Sequence, residues 1–184
     1  MNTAKKLMLL TIGGVAVYYL VQGNGNPSTA LQALTSDVTA ALTGWKSAGS
    51  GPQWVPVLNA AEAQYGLPAD ILAATAYQES SFIENVIRGL TPSSDGLSLG
   101  IMQLQTQYYP SLVGPSVPVP YTDANVGAQI AQAAAVFASN YAALGSWPAT
   151  IAAFNQGLSG VKANGITSVA YVDNILSNAP AANV

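Results

Sequence analysis

The chain contains no cysteine and no histidine. These absences exclude disulfide frameworks, thiolate and imidazole metal sites, cysteine nucleophiles and any Ser-His-Asp triad. Charge is scarce as well. Only 7% of the 184 residues are charged, against about a quarter in an average globular protein. Five basic residues stand against eight acidic ones, a net charge of −3, which excludes a basic nucleic-acid-binding surface. Half of the residues are hydrophobic, enough to build a core, so disorder driven by charge is excluded too. Any acid–base chemistry must rest on the carboxylates, the tyrosine hydroxyls or the lysine amines. At 18.8 kDa the length suits one domain with one appended segment.

The apolar content is not spread evenly. Lys5 and Lys6 precede an uncharged run from Leu7 to Val21. As a helix, that run spans about 22 Å, short of the ~30 Å hydrocarbon core. Lysine snorkelling at one end, and Tyr18 and Tyr19 near the other, extend its reach. The pattern predicts an uncleaved transmembrane helix over residues 1–22. A cleaved secretory signal and a buried core helix are the alternatives. Val21-Gln22-Gly23 makes a poor cleavage site, which favours the anchor. The positive-inside rule then keeps the lysines cytoplasmic and sends the rest of the chain across the membrane. A virion membrane would alter that geometry.

Residues 23–53 read as a linker that carries a short amphipathic helix. Gly23–Ser28 is a flexible break. Leu31, Leu34, Val38, Leu42 and Trp45 then form one apolar stripe over Thr29–Lys46. A helix packed on the following domain and an oligomerising stalk both fit this stripe. Ser47–Gln53 is a second linker, and residues 54–184 read as one mainly α domain. Helices are expected over Val55–Tyr65, from Pro68 to about Phe82, over Leu99–Tyr108, from Asp123 as a cap to Tyr141, over Trp147–Phe154 and over Ser168–Ser177. Residues 84–98 and 110–120 are expected as loops. No strand pair is evident. Trp54, Tyr65 and Trp147 are expected in the core. Tyr108 and Tyr109 are candidates for lining a groove. Gln129, Gln132 and Asn140 argue against a membrane span in the Ala-rich stretch 126–143, which reads instead as a buried central helix.

One carboxylate stands out. Ile71, Thr75 and Glu79 share a helix face, surrounded by Ala73, Ala74, Ala76 and Tyr77. Desolvation, and a place near the negative end of the helix dipole, both raise the pKa of such a glutamate, as a general acid requires.

Around it lies an ordered series of motifs: Tyr77-Gln78-Glu79-Ser80-Ser81-Phe82, then Leu99-Gly100-Ile101-Met102-Gln103-Leu104, then Ala152-Ala153-Phe154-Asn155-Gln156-Gly157, then Tyr171-Val172. Over residues 55–178 this series resembles the catalytic domain of the soluble lytic transglycosylases, which has a goose-type-lysozyme-like fold. The family pattern runs E-S, G-L-M-Q, A-Y-N-x-G and a late helical tyrosine. The resemblance implies that Glu79 is the single catalytic acid and base, and that Ser80 holds the glutamate or the substrate. It implies that Gly100, Met102 and Gln103 form one wall of a glycan groove, with Phe154 and Asn155 on the other. It matches Ser94 to the family's loop serine and Tyr171 to the late tyrosine. Three departures stand out: an expanded loop between Glu79 and Gln103, Gln105-Thr106 where Met-Pro is frequent, and Phe154 in place of tyrosine.

The implied reaction is cleavage of the β-1,4 bond between N-acetylmuramic acid and N-acetylglucosamine, leaving 1,6-anhydro ends. No metal or organic cofactor is implied. The implied partners are peptidoglycan strands, the membrane through Leu7–Val21, and virion or envelope-complex proteins. The implied location is outside the cytoplasm or in a virion membrane, with local wall opening for phage entry or envelope-machine assembly as the role. Two alternatives stand beside it. One is a muramidase in which Asp95 positions water, although Ser93-Ser94-Asp95-Gly96 also reads as a turn. The other is a non-catalytic glycan-binding or virion structural module. The intact Glu79-Ser80 pair weighs against that module.

Overall fold

The computed structural model describes the backbone of residues 6–12 and 15–21 and all atoms of residues 44–94 and 96–182. The chain divides into two units, Met1–Gly44 and Trp45–Val184. In the first, β1 (Lys6–Ile12) and β2 (Val15–Val21) pair antiparallel, with Lys6 opposite Val21 and Ile12 opposite Val15. This corrects the helix expected over Leu7–Val21. Leu, Ile, Val, Tyr and Thr suit a pleated strand as well as an apolar helix. No helix among the described residues is long and apolar enough to cross a membrane. The amphipathic helix expected over Thr29–Lys46 lies outside the described residues, apart from a 3-10 turn at Gly44–Ser47.

The second unit is mainly helical. Its helices are α1 (Gly51–Tyr65), α2 (Ile71–Ser80), α3 (Glu84–Ile87), α4 (Pro110–Val113), α5 (Asp123–Leu144), α6 (Trp147–Gln156), α7 (Leu158–Asn164) and α8 (Val169–Asn178). A two-residue ladder joins β3 (Ser98–Leu99) to β4 (Leu104–Gln105). The helix α1 starts inside the expected linker, with Pro52 in its first turn, where a missing N–H costs nothing. It ends on Gly66 in the left-handed region.

The α2 helix is buried nearly all round. Ile71, Leu72, Ala73, Ala74, Thr75 and Ala76 are each at most 1% exposed. Asp70 stands at its N-cap but does not cap it. The Asp70 carboxylate instead meets Lys46 Nζ at 2.6 Å. The α2 N-terminus is capped from α1 by Glu62. Its Oε1 accepts from Leu72 N at 2.7 Å and Ala73 N at 3.1 Å, and its Oε2 accepts from Asp70 N at 2.8 Å. A carboxylate suits this end, where free N–H groups and the helix dipole converge. Burial pushes the Glu62 carboxyl up, against the pull of those three N–H groups.

The expected Asp123 cap is also corrected. Thr122 is the N-cap of α5 and forms a capping box with Asn125, while Asp123 pairs with Arg88 at 2.7 Å. Thr122 has the extended backbone a cap requires, which leaves Asp123 in the first turn. The segment 99–108, expected as a helix, instead turns through the β3–β4 ladder. Gly100 (φ 82) and Gln103 (φ 44) occupy left-handed conformations there, which a helix cannot hold.

The central layer is α5, which packs against α1 and α6; α2 packs against α8. Leu58, Ile71, Leu72, Ile101, Met102, Ile130, Phe137, Ile151 and Ile175 fill the interior between them. Trp54 and Trp147 are buried as expected, and Tyr65 packs partly buried against the core. Gly100 lies so close to α5 that a Cβ there would meet Gln129 Oε1 at 2.1 Å. Gly100→Ala therefore combines a steric clash with left-handed strain. It is expected to cost on the order of 3 kcal/mol, read as a lowered urea midpoint with unchanged slope.

Candidate active site

The last turn of α2 delivers Glu79 to the wall of a groove of about 970 Å³. Beyond it the chain turns sharply through Ser81 (φ 49) and Phe82 (φ 52). Two consecutive residues in the left-handed region are costly and need support from their surroundings. Ser80 provides part of it, with Oγ donating to Ala76 O at 2.7 Å and accepting from Phe82 N at 3.3 Å. Phe82 provides the rest, fully buried against Trp45 and Tyr77. The turn ends α2 at Ser80, so Glu79 sits in the last helical turn with its carboxylate on the groove while the helix behind it stays in the core.

Glu79 Oε1 accepts a hydrogen bond of 2.6 Å from the Tyr171 hydroxyl on α8. Burial pushes the Glu79 carboxyl up to about 7, and the Tyr171 bond, which favours the charged form, pulls in the other direction. Burial and the neighbouring carboxylate push the Tyr171 hydroxyl well above its usual value, so it stays a donor. Near neutral pH, Glu79 is thus divided between an acid that can give a proton and a base that can take one.

The groove is otherwise lined by neutral groups. Gln103, Gln105, Tyr108 and Tyr109 come from the β3–β4 region, and Gln132, Ser139 and Asn140 from α5. Phe154, Asn155 and Gln156 come from the end of α6. Among the described residues Glu79 is the one charged side chain of that lining. Amides, hydroxyls and aromatic faces suit a glycan with hydroxyl and acetamido groups. No group of three or more carboxylates that could hold a metal occurs among the described residues.

The residues singled out by the motifs fall into two sets. Glu79, Gln103, Phe154 and Asn155 line the groove, and Tyr171 reaches Glu79. The Gln103 amide is oriented by donation from Nε2 to Gly100 O at 2.9 Å. Phe154 packs on Phe137, ring centroids 5.1 Å apart. The others serve the frame. Ser80 is 3% exposed and bonded into the α2 turn, Met102 is in the core, and Gly100 backs onto Gln129. Ser94 is exposed, and its neighbour Ser93 lines the groove instead, with Oγ accepting from Ser98 N at 3.0 Å. Asp95 lies outside the described residues. Gln132 and Asn140 were visible in the sequence as polar breaks in an Ala-rich helix, and the groove is what they face.

Removing the Tyr171 hydroxyl tests this arrangement. In Tyr171→Phe the charged form of Glu79 loses its donor, so its pKa rises from about 7. The upper pH limit of kcat/KM is expected to move up by about half to one unit, with about tenfold lower activity at the optimum. A pH–rate profile checks both.

No curated protein matches the chain significantly. The family profile described as Transglycosylase SLT domain matches residues 56–171. The match spans well over half of the chain, from the middle of α1 to Tyr171, and contains Glu79, Gln103 and Asn155. The chain therefore belongs to the transglycosylase SLT domain family, whose members are peptidoglycan lytic transglycosylases.

Proposed function

We propose that this protein is a lytic transglycosylase that cleaves the bond between N-acetylmuramic acid and N-acetylglucosamine with Glu79 alone. The observation that carries the reading is a glutamate with its pKa raised to about 7, bonded to Tyr171, in a groove whose described lining offers no second carboxylate. Ordinary glycosidases need two carboxyl groups. With one, the chemistry runs through the substrate. Protonated Glu79 gives its proton to the glycosidic oxygen, and the C1–O bond breaks. The sugar's own 2-acetamido group stabilises C1 from the opposite face. The Glu79 carboxylate then takes the proton of the C6 hydroxyl, whose oxygen closes on C1. The product is a 1,6-anhydro ring, no water is consumed, and Glu79 is protonated again. The Tyr171 bond lowers the cost of the carboxylate between the two steps.

Digestion of purified peptidoglycan, followed by mass analysis of the fragments, tests this. Products lighter by one water than ordinary reducing muropeptides support the transglycosylase. Ordinary reducing ends indicate a muramidase, with Asp95 the first residue to replace. Fragments absent despite glycan binding indicate a wall-docking module.

The setting we propose is membrane attachment through Leu7–Val21, with the catalytic domain outside the cytoplasm or in a virion membrane, for local wall opening. Support comes from the paired lysines followed by an uncharged apolar run. Co-sedimentation with anionic liposomes, lost on deleting residues 1–22, is the expected result. Equal sedimentation of both forms would contradict it.

A further inference from the structure

Gln156 ends α6 and lines the groove, yet its amide is committed elsewhere. Its Nε2 donates to Gly165 O at 2.8 Å. Its Oε1 accepts from Thr167 N and Ser168 N, each at 3.1 Å, and from the Thr167 and Ser168 hydroxyls, each at 3.0 Å. Hydroxyls rotate, but the two backbone N–H groups fix direction, so one side chain ties down the whole approach to α8. Residues 162–167 are exposed, and apolar burial does not hold this approach.

Ser168 is the N-cap of α8, and Tyr171 lies in the first turn after it. A first turn is anchored by whatever holds its cap, because its own N–H groups have no partners within the helix. Further along, α8 is anchored by buried Val172 and Ile175. The Gln156 amide controls the other end of the segment that carries Tyr171. The Tyr171–Glu79 bond is 2.6 Å long and charge-assisted, and a displacement of a few tenths of an ångström weakens it. In the family pattern this position is the unspecified residue between Asn and Gly, so the motif assigns it no role.

We propose that Gln156 is a positioning residue. By clamping the 165–168 approach to α8, it keeps the Tyr171 hydroxyl on Glu79. Groups that could otherwise alter Glu79 are few. The other titratable side chains in the described lining are Tyr108 and Tyr109, and no cation is among them. This inference rests on Glu79 as the reacting acid, but its test does not need turnover.

The test is a carboxyl NMR titration of Glu79 in the full chain, in four forms: wild type, Gln156→Met, Tyr171→Phe and the double variant. Methionine keeps length and helix preference while removing all five bonds. Gln156→Met is expected to raise the Glu79 midpoint by about 0.3–1 pH unit. In the Tyr171→Phe background the same substitution is expected to add nothing, because the bond it protects is already gone. Two results would overturn the proposal. One is an unchanged midpoint, which with weaker glycan binding beside it would make Gln156 a direct glycan contact. The other is a shift that persists undiminished without the Tyr171 hydroxyl. Thr167→Val with Ser168→Ala removes two of the five bonds from the other side. A smaller shift of the same sign is expected there, and its absence would also count against the clamp. The midpoint can move as expected even if no product forms, so failure of the clamp and failure of the transglycosylase reading are told apart.

Discussion

Glu79→Gln is expected to lower kcat/KM on purified peptidoglycan by about 10³-fold while making the protein more stable at alkaline pH. The loss of activity follows from chemistry. Glutamine keeps the size and can still accept from Tyr171, but it cannot give a proton to the glycosidic oxygen, a contribution worth about 10²–10⁴ in rate. The gain in stability follows from linkage. In the folded chain Glu79 titrates near 7, against 4.5 for the unperturbed group. Between those values the native state holds the proton more tightly than the unfolded state. Stability from this site is therefore complete below about pH 4.5 and declines as pH rises towards 7. Glutamine never ionises and escapes the decline. Thermal unfolding should give coincident midpoints for the two proteins near pH 4.5. At pH 8 the variant should be the more stable by about 1–3 kcal/mol. A merely solvated glutamate would show neither effect.

The second large effect is on folding. Glu62→Gln is expected to destabilise the chain by about 2–4 kcal/mol, lowering Tm by on the order of 10 °C. Glu62 is 2% exposed, and its two oxygens accept from the N–H groups of Asp70, Leu72 and Ala73. The glutamine amide would turn an NH₂ towards one of these donors and leave it buried without an acceptor. The charge that complements the α2 dipole would go as well. Differential scanning calorimetry at pH 7 measures the loss. Glu62 does not line the groove, so the pH profile of the surviving activity should keep its upper limit. A change of less than 0.5 kcal/mol would mean that water caps α2 as well as Glu62 does.

The two carboxylates were not equally legible in the sequence. Glu79 sits in a motif series, and its apolar helix face is local information, readable from spacing alone. Gln103, Asn155 and Tyr171 followed from the same series. Glu62 carries no local signal. Its role comes from α1 crossing the start of α2, which only tertiary structure brings together. The same holds for Gln156, whose partners lie 9 to 12 residues further along the chain. Ser80 and Met102 share motifs with true groove residues, and neighbours in sequence can point in opposite directions. Ser80 turns inward because the Ser81–Phe82 turn needs its hydroxyl. Ser93 rather than Ser94 faces the groove, held there by the bond its Oγ accepts from Ser98 N across the loop.

Of the fold, the long periodic helices were the readable part. The α7 helix is only seven residues long, holds Gly160 and lies between Gly157 and Gly165, so its local helix preference is weak. The β3–β4 ladder is too short to produce an alternating pattern. At the N-terminus an apolar run of Leu, Val and Tyr fits a helix and a strand equally, and periodicity cannot choose between them.

Burial in this groove gives a single glutamate the proton it needs at neutral pH. Carboxyl NMR titration of Glu79 in the wild-type chain measures this directly. The expected midpoint lies near 7 and rises when Tyr171 becomes phenylalanine. A midpoint near 4.5, unmoved by that change, would contradict it.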